Sequence, residues 1–348
     1  MPSALVNIDI YLDNKKIIIN LIISLAYPKY FSMRYCCLCI SFLLPFILLG
    51  QEKIQFFSKN PFSFKDIITN LNNQEDQIVY GILKMPDDWN ENDICPLIIA
   101  VAGSNGWADH HYEYLDIYRT HGIATFELCS FKSRGIDSTV GSQIEVTTAM
   151  MIIDAYKAFE ILANKPMIDR QKIGITGWSL GGGVALFSAW QPLKNSINSN
   201  VTFAAHLPLY PPCIVMPTVL NFGSSPIHIL IGELDNWTPA DACLELVNKI
   251  PNNNIELTIY PNSHHSFDRD SPVVIKQNGY IMKDCRFILK EDGSVLMNFL
   301  NIPMTTPLLQ KIGISMCAKR GPKYGGNKES KAASLKFAKD FMIKHLNN

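Results

Sequence analysis

Short runs of apolar residues recur along the chain beyond residue 50, and they are continuous rather than alternating with polar positions. Such runs are typical of parallel strands that are covered on both faces. The predicted strands are residues 96–102, 122–128, 172–178, 201–210, 227–232 and 255–260. Helical patterns lie between them, and this alternation predicts a doubly wound, mostly parallel α/β sheet.

The clearest helical pattern covers residues 144–163, where apolar side chains such as Ile152 and Phe159 fall on one stripe. Ser142 and Glu145 have the spacing of a capping box just ahead of this stripe. We therefore predict that the helix starts beside them.

Residues 270–328 do not fit the alternation of strand and helix. Two strand-like runs are broken there by Glu291-Asp292-Gly293, which predicts a hairpin or turn. A last helix is predicted from about Ser330 to Leu346. The intervening segment is therefore interpreted as an insertion before the final helix.

The composition indicates a globular chain without an excess of either charge. Hydrophobic residues make up 47% and charged residues 18%, which favours a sizeable core. Lys plus Arg and Asp plus Glu number 31 each. This balance gives no electrostatic basis for a nucleic-acid or anionic-membrane partner, so a small molecule is the expected partner.

The N-terminal region contains two apolar runs, residues 17–27 and 35–50. The second follows Met33-Arg34 and ends at Gly50, which is the layout of a secretory signal. We expect translation to start at Met33 and cleavage to fall near Gly50. The N-terminal segment 1–50 would then contain a signal peptide that begins at Met33, and residues 51–348 would be an exported domain, periplasmic or secreted. The alternative is a segment retained as a membrane anchor.

The sequence GWSLG at residues 177–181 matches G-x-S-x-G. An apolar strand precedes it and a helix-compatible run follows, as a nucleophile elbow requires. Ser179 is therefore the predicted nucleophile, and the N–H of Leu180 is a predicted oxyanion donor. The stretch has neither the G-x-G-x-x-G spacing nor the G-K-[ST] ending of phosphate-binding loops.

A serine nucleophile needs a base and an acid, which in α/β-hydrolases follow later strands in the order Asp, His. Asp235 lies just after the strand 227–232, and Glu233 and Asp241 compete with it. After the next strand, either His264 or His265 could be the base.

The second oxyanion donor is expected in the loop after the first parallel strand, where the residues are GSNG at 103–106. The N–H of Ser104 is the predicted donor. His110 and His111 follow soon after. They could suggest a metal site, but adjacent histidines seldom both face one metal ion. We therefore interpret this stretch as the polar start of a helix.

Six of the nine cysteines lie beyond residue 50, and none of these forms a CxxC pair. A zinc site or a thioredoxin-type site is therefore not expected. In an exported protein the cysteines can form disulfides, but the sequence alone leaves 15 pairings open. Cys129, at the end of an apolar run, best fits a buried free thiol.

Longer motifs carry a resemblance to a known family over roughly residues 75–348. They are VAGSNGW, SFKSRGIDST, DAYKAFEILANKPMIDRQKIGITGWSLGG, GELDNWTPADAC, YPNSHHSFD and CAKRGPKYGGN. With them the chain resembles the dienelactone hydrolase family of the α/β-hydrolase superfamily, in its exported bacterial branch. The resemblance implies the α/β-hydrolase fold, with Asp235 as the acid and His265 as the base.

The resemblance also implies disulfide pairs and a reaction. Cys213 would pair with Cys243, and Cys285 with Cys317, so that the second bridge staples the insertion. Whether Cys95 and Cys129 are free stays open. The best-known family member has a cysteine at the elbow, whereas this chain has a serine. Ordinary serine esterase chemistry is therefore expected rather than the ring opening of dienelactone.

The expected function is hydrolysis of a carboxylic ester by Ser179, His265 and Asp235, with no metal or cofactor. An apolar or aromatic pocket is expected near three tryptophans, Trp107, Trp178 and Trp237. Two alternatives stay open, a serine peptidase related to prolyl oligopeptidases and an inactive binding protein with the hydrolase fold.

Overall fold

A computed structural model describes residues 4–12, 15–23, 51–250, 255–297 and 300–347. The chain divides into two units, Met1–Leu49 and Gly50–Asn348. In the first unit, β1 (Ala4–Leu12) and β2 (Lys15–Ile23) pair as an antiparallel hairpin. The apolar run 35–50, on which the predicted signal rests, lies outside the described residues.

The second unit is built on a sheet of eight strands in the order β11-β10-β8-β7-β5-β6-β4-β3. Six of these strands are parallel, while β4 runs antiparallel to β6 and β3 antiparallel to β4. The strands of this unit are β3 (Gln51–Lys59), β4 (Asp76–Lys84), β5 (Cys95–Val101), β6 (Ala124–Leu128), β7 (Ile168–Trp178), β8 (His206–Leu209), β9 (Val215–Pro217), β10 (Ile227–Gly232), β11 (Ile255–Tyr260), β12 (Val274–Ile275), β13 (Tyr280–Ile281), β14 (Phe287–Leu289), β15 (Val295–Leu296), β16 (Lys319–Arg320) and β17 (Lys323–Tyr324).

This unit also contains helices, several of which pack against the sheet. They are α1 (Phe64–Asn70), α2 (Asp109–Arg119), α3 (Ser130–Ser133), α4 (Thr148–Leu162), α5 (Leu180–Phe187), α6 (Gln191–Asn198), α7 (Ala240–Lys249), α8 (Pro307–Ser315) and α9 (Lys328–Leu346). The consecutive residues Leu97, Ile98 and Ile99 of β5 are all fully buried. Because successive strand residues point to opposite faces, both faces of the sheet are covered. The predicted mostly parallel, doubly wound sheet is confirmed.

Two predicted elements begin several residues later in the structure than predicted. The predicted strand 201–210 contains only β8, His206–Leu209. The predicted helix 144–163 begins only at Thr148, where Thr147 Oγ1 accepts the N–H of Met150 at 3.3 Å. Gln143 has a φ of +60°, which no helix residue adopts. The chain therefore cannot enter the helix beside Ser142.

Ser142 and Glu145 do interact, but not as a helix cap. The Ser142 hydroxyl and the Thr139 hydroxyl both donate to Glu145 Oε2. The pair therefore closes the loop that leads into α4. Ser142 and Glu145 therefore do contact each other, but the prediction that they mark the start of the helix was wrong.

The segment between β11 and α9 is the predicted insertion. β14 and β15 form an antiparallel hairpin, whose turn contains Glu291-Asp292-Gly293 as predicted, and β14 also pairs with β9. The other short strands pair as β12 with β17 and β13 with β16. The structure contains the disulfides Cys213–Cys243 and Cys285–Cys317. Cys95 and Cys129 are buried free thiols.

A buried ion pair ties the antiparallel side of the sheet to the helices. Arg134 donates to both carboxylate oxygens of Asp154 at 2.7 and 3.0 Å, and the hydroxyl of Ser58 donates to Asp154 Oδ1 at 2.5 Å. The side chains of Arg134 and Asp154 are 6% and 0% exposed. These bonds join β3, α4 and the end of α3 around one carboxylate.

Replacing one member of this pair leaves the other buried without its charge partner. We expect Asp154→Ala to lower the free energy of unfolding by about 3–5 kcal/mol, measured by denaturant unfolding without reductant. The control is the double variant Arg134→Met with Asp154→Leu, which removes both charges and should lose much less stability. A loss below about 1 kcal/mol for Asp154→Ala would show that the pair does not stabilise the domain.

Candidate active site

The turn from β7 into α5 holds Ser179 in a strained backbone conformation. Its φ is +55° and its ψ is −113°, and its N–H donates to Leu209 O at 2.9 Å. A Cβ added at Gly181 would lie 2.1 Å from Val101 O, and one added at Gly177 would lie 2.1 Å from Gly181 O. Only glycine fits at both positions, and the surrounding backbone fixes the conformation of the serine.

Three predicted site residues meet at this turn. His265 Nε2 lies 2.9 Å from Ser179 Oγ, and His265 Nδ1 lies 2.7 Å from Asp235 Oδ2. The carboxylate can only accept, so Nδ1 carries the proton and Nε2 is free to accept the proton of the serine hydroxyl. His264 does not join them, because its Nδ1 lies 3.1 Å from Leu234 O.

The Asp235 side chain is fully buried and completely hydrogen-bonded. Its Oδ1 accepts the N–H groups of Trp237 and Thr238, both at 2.9 Å, and its Oδ2 accepts the Thr238 hydroxyl at 3.0 Å. The competing Glu233 instead accepts the N–H of Asn262, and Asp241 lies in the first turn of α7. Of the three acids considered, only Asp235 reaches His265.

The loop after β5 passes beside Ser179. A Cβ added at Gly103 would lie 3.3 Å from Ser179 Cβ, and Gly106 N–H closes a turn onto Gly103 O at 2.9 Å. Ser104 O accepts the N–H of Thr139 and the hydroxyl of Ser138. These bonds fix the peptides around Ser104, while Leu180 is the first residue of α5.

A cleft of about 420 Å³ opens to solvent above Ser179. Its described lining residues are Gly103, Ser104, Asn105, Gly106, His111, Trp178, Ser179, Tyr210, Trp237, His265, Ser266, Arg269, Lys276 and Tyr324. Trp237 stands against His265 with ring centroids 4.9 Å apart. Trp107 is absent from this lining: it packs edge-on against Trp178 and donates to Leu128 O at 3.2 Å. Two of the three predicted tryptophans therefore border the cleft.

The two adjacent histidines differ from the prediction. His110 and His111 are 4% and 2% exposed, so they are not the polar start of a helix, although α2 does begin at Asp109. Their side chains turn inward, because their ring centroids lie only 4.0 Å apart and the ring of His111 packs 4.5 Å from that of Trp178. The polarity of a histidine did not indicate its burial here.

A second carboxylate lies behind the site and was not predicted. Tyr210 donates its hydroxyl to Asp268 Oδ1 at 2.9 Å, and its ring meets the ring of His265 edge-on at 4.8 Å. His110 Nε2 lies 3.9 Å from the same oxygen. Burial raises the pKa of Asp268 to about 6. The sequence carried a weak signal, since this aspartate follows directly after HHSF.

Among the residues that the structure describes, no group of three or more His, Cys, Asp or Glu side chains is arranged to hold a metal ion. Within the same residues, no helix is long and apolar enough to cross a membrane.

Comparison with known proteins shows which family and which folds this chain resembles. The sequence profile of the dienelactone hydrolase family matches residues 116–284, a span that contains Ser179, Asp235 and His265. This match confirms the resemblance that the motifs carry. No curated protein matches the chain in sequence.

Solved structures resemble the chain at low sequence identity. The structure titled m3DLH has a TM-score of 0.52 at 12% identity and covers 85% of this chain and 99% of its own. A putative dienelactone hydrolase from Klebsiella pneumoniae has a TM-score of 0.44 at 18% identity, covering 62% of this chain and 89% of its own. An acylaminoacyl peptidase from Pyrococcus horikoshii has a TM-score of 0.43 at 16% identity, covering 65% of this chain and 39% of its own. The family match and the fold support a hydrolase of the α/β-hydrolase class.

The buried Asp268 gives the stability of the domain a specific pH dependence. Its pKa is raised on folding from 3.8 to about 6, so the native state holds this proton more tightly than the unfolded state does. The resulting stability is fully present below about pH 3.8 and is lost as the pH rises through about 6. The groups that face the carboxyl are Tyr114, Tyr210, His110 and Arg269.

We expect the free energy of unfolding of the wild type, relative to Asp268→Asn, to increase by about 1 kcal/mol between pH 7 and pH 5. The matched control is Asp270→Asn, which changes an exposed carboxylate two residues away. Denaturant unfolding across this pH range measures all three proteins. Parallel pH curves for the wild type and Asp268→Asn would contradict the expectation.

Proposed function

We propose that the chain is a serine hydrolase that cleaves carboxylic esters, with Ser179 as nucleophile, His265 as base and Asp235 as acid. The observation that carries the proposal is the continuous hydrogen-bonded line from Ser179 Oγ through His265 to a buried carboxylate at the floor of an open cleft. A serine hydroxyl is a weak nucleophile without such a base, and the base needs a partner that fixes its tautomer.

Each residue then has a role that its contacts support. Ser179 Oγ attacks the ester carbonyl while His265 Nε2 takes its proton. Asp235 holds the imidazole in the required tautomer and stabilises the imidazolium. The proton passes to the departing alcohol, which leaves an acyl group on Ser179. His265 then takes a proton from a water molecule that attacks the acyl group, and returns this proton to the Ser179 oxygen as the acid is released. The N–H groups of Leu180 and Ser104 receive the oxyanion, each contributing about 3–4 kcal/mol to transition-state stabilisation.

The charges of the cleft favour an ester that carries an anionic group. Arg269 and Lys276 border the cleft, and no Asp or Glu is among its described lining residues. A guanidinium or ammonium group forms strong charge-assisted hydrogen bonds with a carboxylate. We therefore propose that the substrate bears a carboxylate.

The two disulfides are typical of proteins from oxidising compartments. They support the proposal that the domain is exported, in the periplasm or outside the cell. The apolar run before Gln51 would supply the signal for export, with its start at Met33.

The test of the proposed nucleophile is labelling with a fluorophosphonate probe. We expect the wild type and His264→Ala to be labelled, because His264 contacts neither Ser179 nor Asp235. Ser179→Ala should not be labelled, and His265→Ala should be labelled at least 100-fold more slowly because the serine loses its base.

Matched p-nitrophenyl esters and p-nitroanilides of one acyl group then distinguish an esterase from a peptidase. Within the ester series, a neutral acyl chain is compared with a dicarboxylic half-ester of equal length, which tests the preference for a substrate carboxylate. The proposal expects esters to be cleaved faster than anilides and the half-ester to have the higher kcat/KM. Preferential anilide cleavage would favour a peptidase. An unlabelled and inactive wild type would favour a binding protein.

A further inference from the structure

The ring of His111 lies in the wall of the cleft and has no place in the proposed triad. We propose that His111 is a further substrate-contacting residue, whose Nε2–H donates a hydrogen bond to the ester oxygen that gains negative charge at Ser179. This inference rests on the proposed ester hydrolysis, and it adds a side-chain donor to the two backbone donors already assigned.

The contacts of His111 fix its tautomer. Its Nδ1 lies 3.2 Å from the backbone N–H of Ala108, one turn back at the start of α2. A backbone N–H can only donate, so Nδ1 must accept and cannot carry a proton. In the neutral ring the proton therefore sits on Nε2. Burial, with the positive charge of Arg269 nearby, lowers the pKa of His111 well below its usual value, so the ring stays neutral.

The Nε2–H of His111 lacks an acceptor within the part of the chain that the structure describes. No described residue accepts a hydrogen bond from it, although His111 as a whole is only 2% exposed. Unlike His110 Nε2, it is not a fully buried atom, and the residue lines the cleft. A donor in this position lacks a partner until a ligand oxygen enters, and pairing it favours binding.

Aromatic packing holds the ring in one orientation. The centroid of His111 lies 4.0 Å from that of His110, 4.5 Å from that of Trp178 and 5.6 Å from that of Trp107. Trp178 directly precedes Ser179, and α2 follows directly on the loop that carries Ser104. The donor is therefore fixed relative to the serine and to the predicted oxyanion loop before substrate arrives, which is the condition for electrostatic stabilisation without reorganisation.

A neutral imidazole N–H suits this role chemically. It lends a partial positive charge to a developing oxyanion but does not give up its proton, so no proton transfer competes with His265. Since the ring does not titrate near neutral pH, its contribution is the same across the working pH range. The pH profile of the reaction should therefore be shaped by other groups.

Two substitutions separate the donor from the helix cap. His111→Asn keeps an oxygen near the position of Nδ1 for the Ala108 N–H but has no donor at the position of Nε2. His111→Gln places an amide N–H near the position of Nε2. The matched control is His121→Asn, because this exposed histidine lies just beyond the end of α2 and does not line the cleft.

We expect His111→Asn to lower kcat for a p-nitrophenyl ester about 30- to 300-fold, with KM changed less than threefold, the melting temperature close to wild type and the pKa of the kcat/KM profile unmoved. The kcat of His111→Gln should be at least tenfold higher than that of His111→Asn, and His121→Asn should keep kcat within threefold of wild type. This inference would be overturned, and the proposed function kept, if the wild type is active and His111→Asn is equally active. The same holds if His111→Gln is no faster than His111→Asn. A wild type that cleaves no ester would overturn the proposed function and this inference with it.

Discussion

The site depends on the backbone of Ser179, which is held at positive φ because two glycines let neighbouring backbone pass at close range. The carbonyls of Val101 and Gly181 occupy the space that side chains at Gly181 and Gly177 would need. This packing joins β5, β7 and α5 into one unit and lifts the serine side chain out of the sheet toward the cleft. The strained backbone of Ser179 is therefore held in place by the parallel core and does not depend on the loops around the cleft.

Behind the serine, a buried polar network holds the histidine. Asp235 is satisfied by two backbone N–H groups and the Thr238 hydroxyl, and its remaining contact is His265. Tyr210 and Trp237 enclose the imidazole ring. Buried polar groups are stable only when they are paired, so the same bonds that stabilise this region also set the orientation of the base. His111 Nε2 differs, since its donor has no acceptor among the described residues and is directed to a ligand in the inference above.

Much of this arrangement was predictable from the sequence, because it rests on local patterns. The strands 227–232 and 255–260 were predicted at their observed bounds, and the order of serine, acid and base followed from the strands that carry them. The disulfide pairs followed only from the resemblance. The late start of α4 could not be predicted, because the positive φ of Gln143 depends on the loop that Glu145 closes. Burial of His110, His111 and Asp268 also escaped prediction, since a polar residue shows no periodicity that marks it as internal.

The most direct measurement is rapid-quench kinetics of the domain with a p-nitrophenyl ester, followed by mass spectrometry of its peptides. The account expects a burst of one p-nitrophenolate per domain and an acyl group on the Ser179 hydroxyl of the peptide that contains GWSLGGG. An acyl group on another residue, such as Cys129, or turnover without any covalent intermediate, would contradict the claim that this strained serine is the nucleophile.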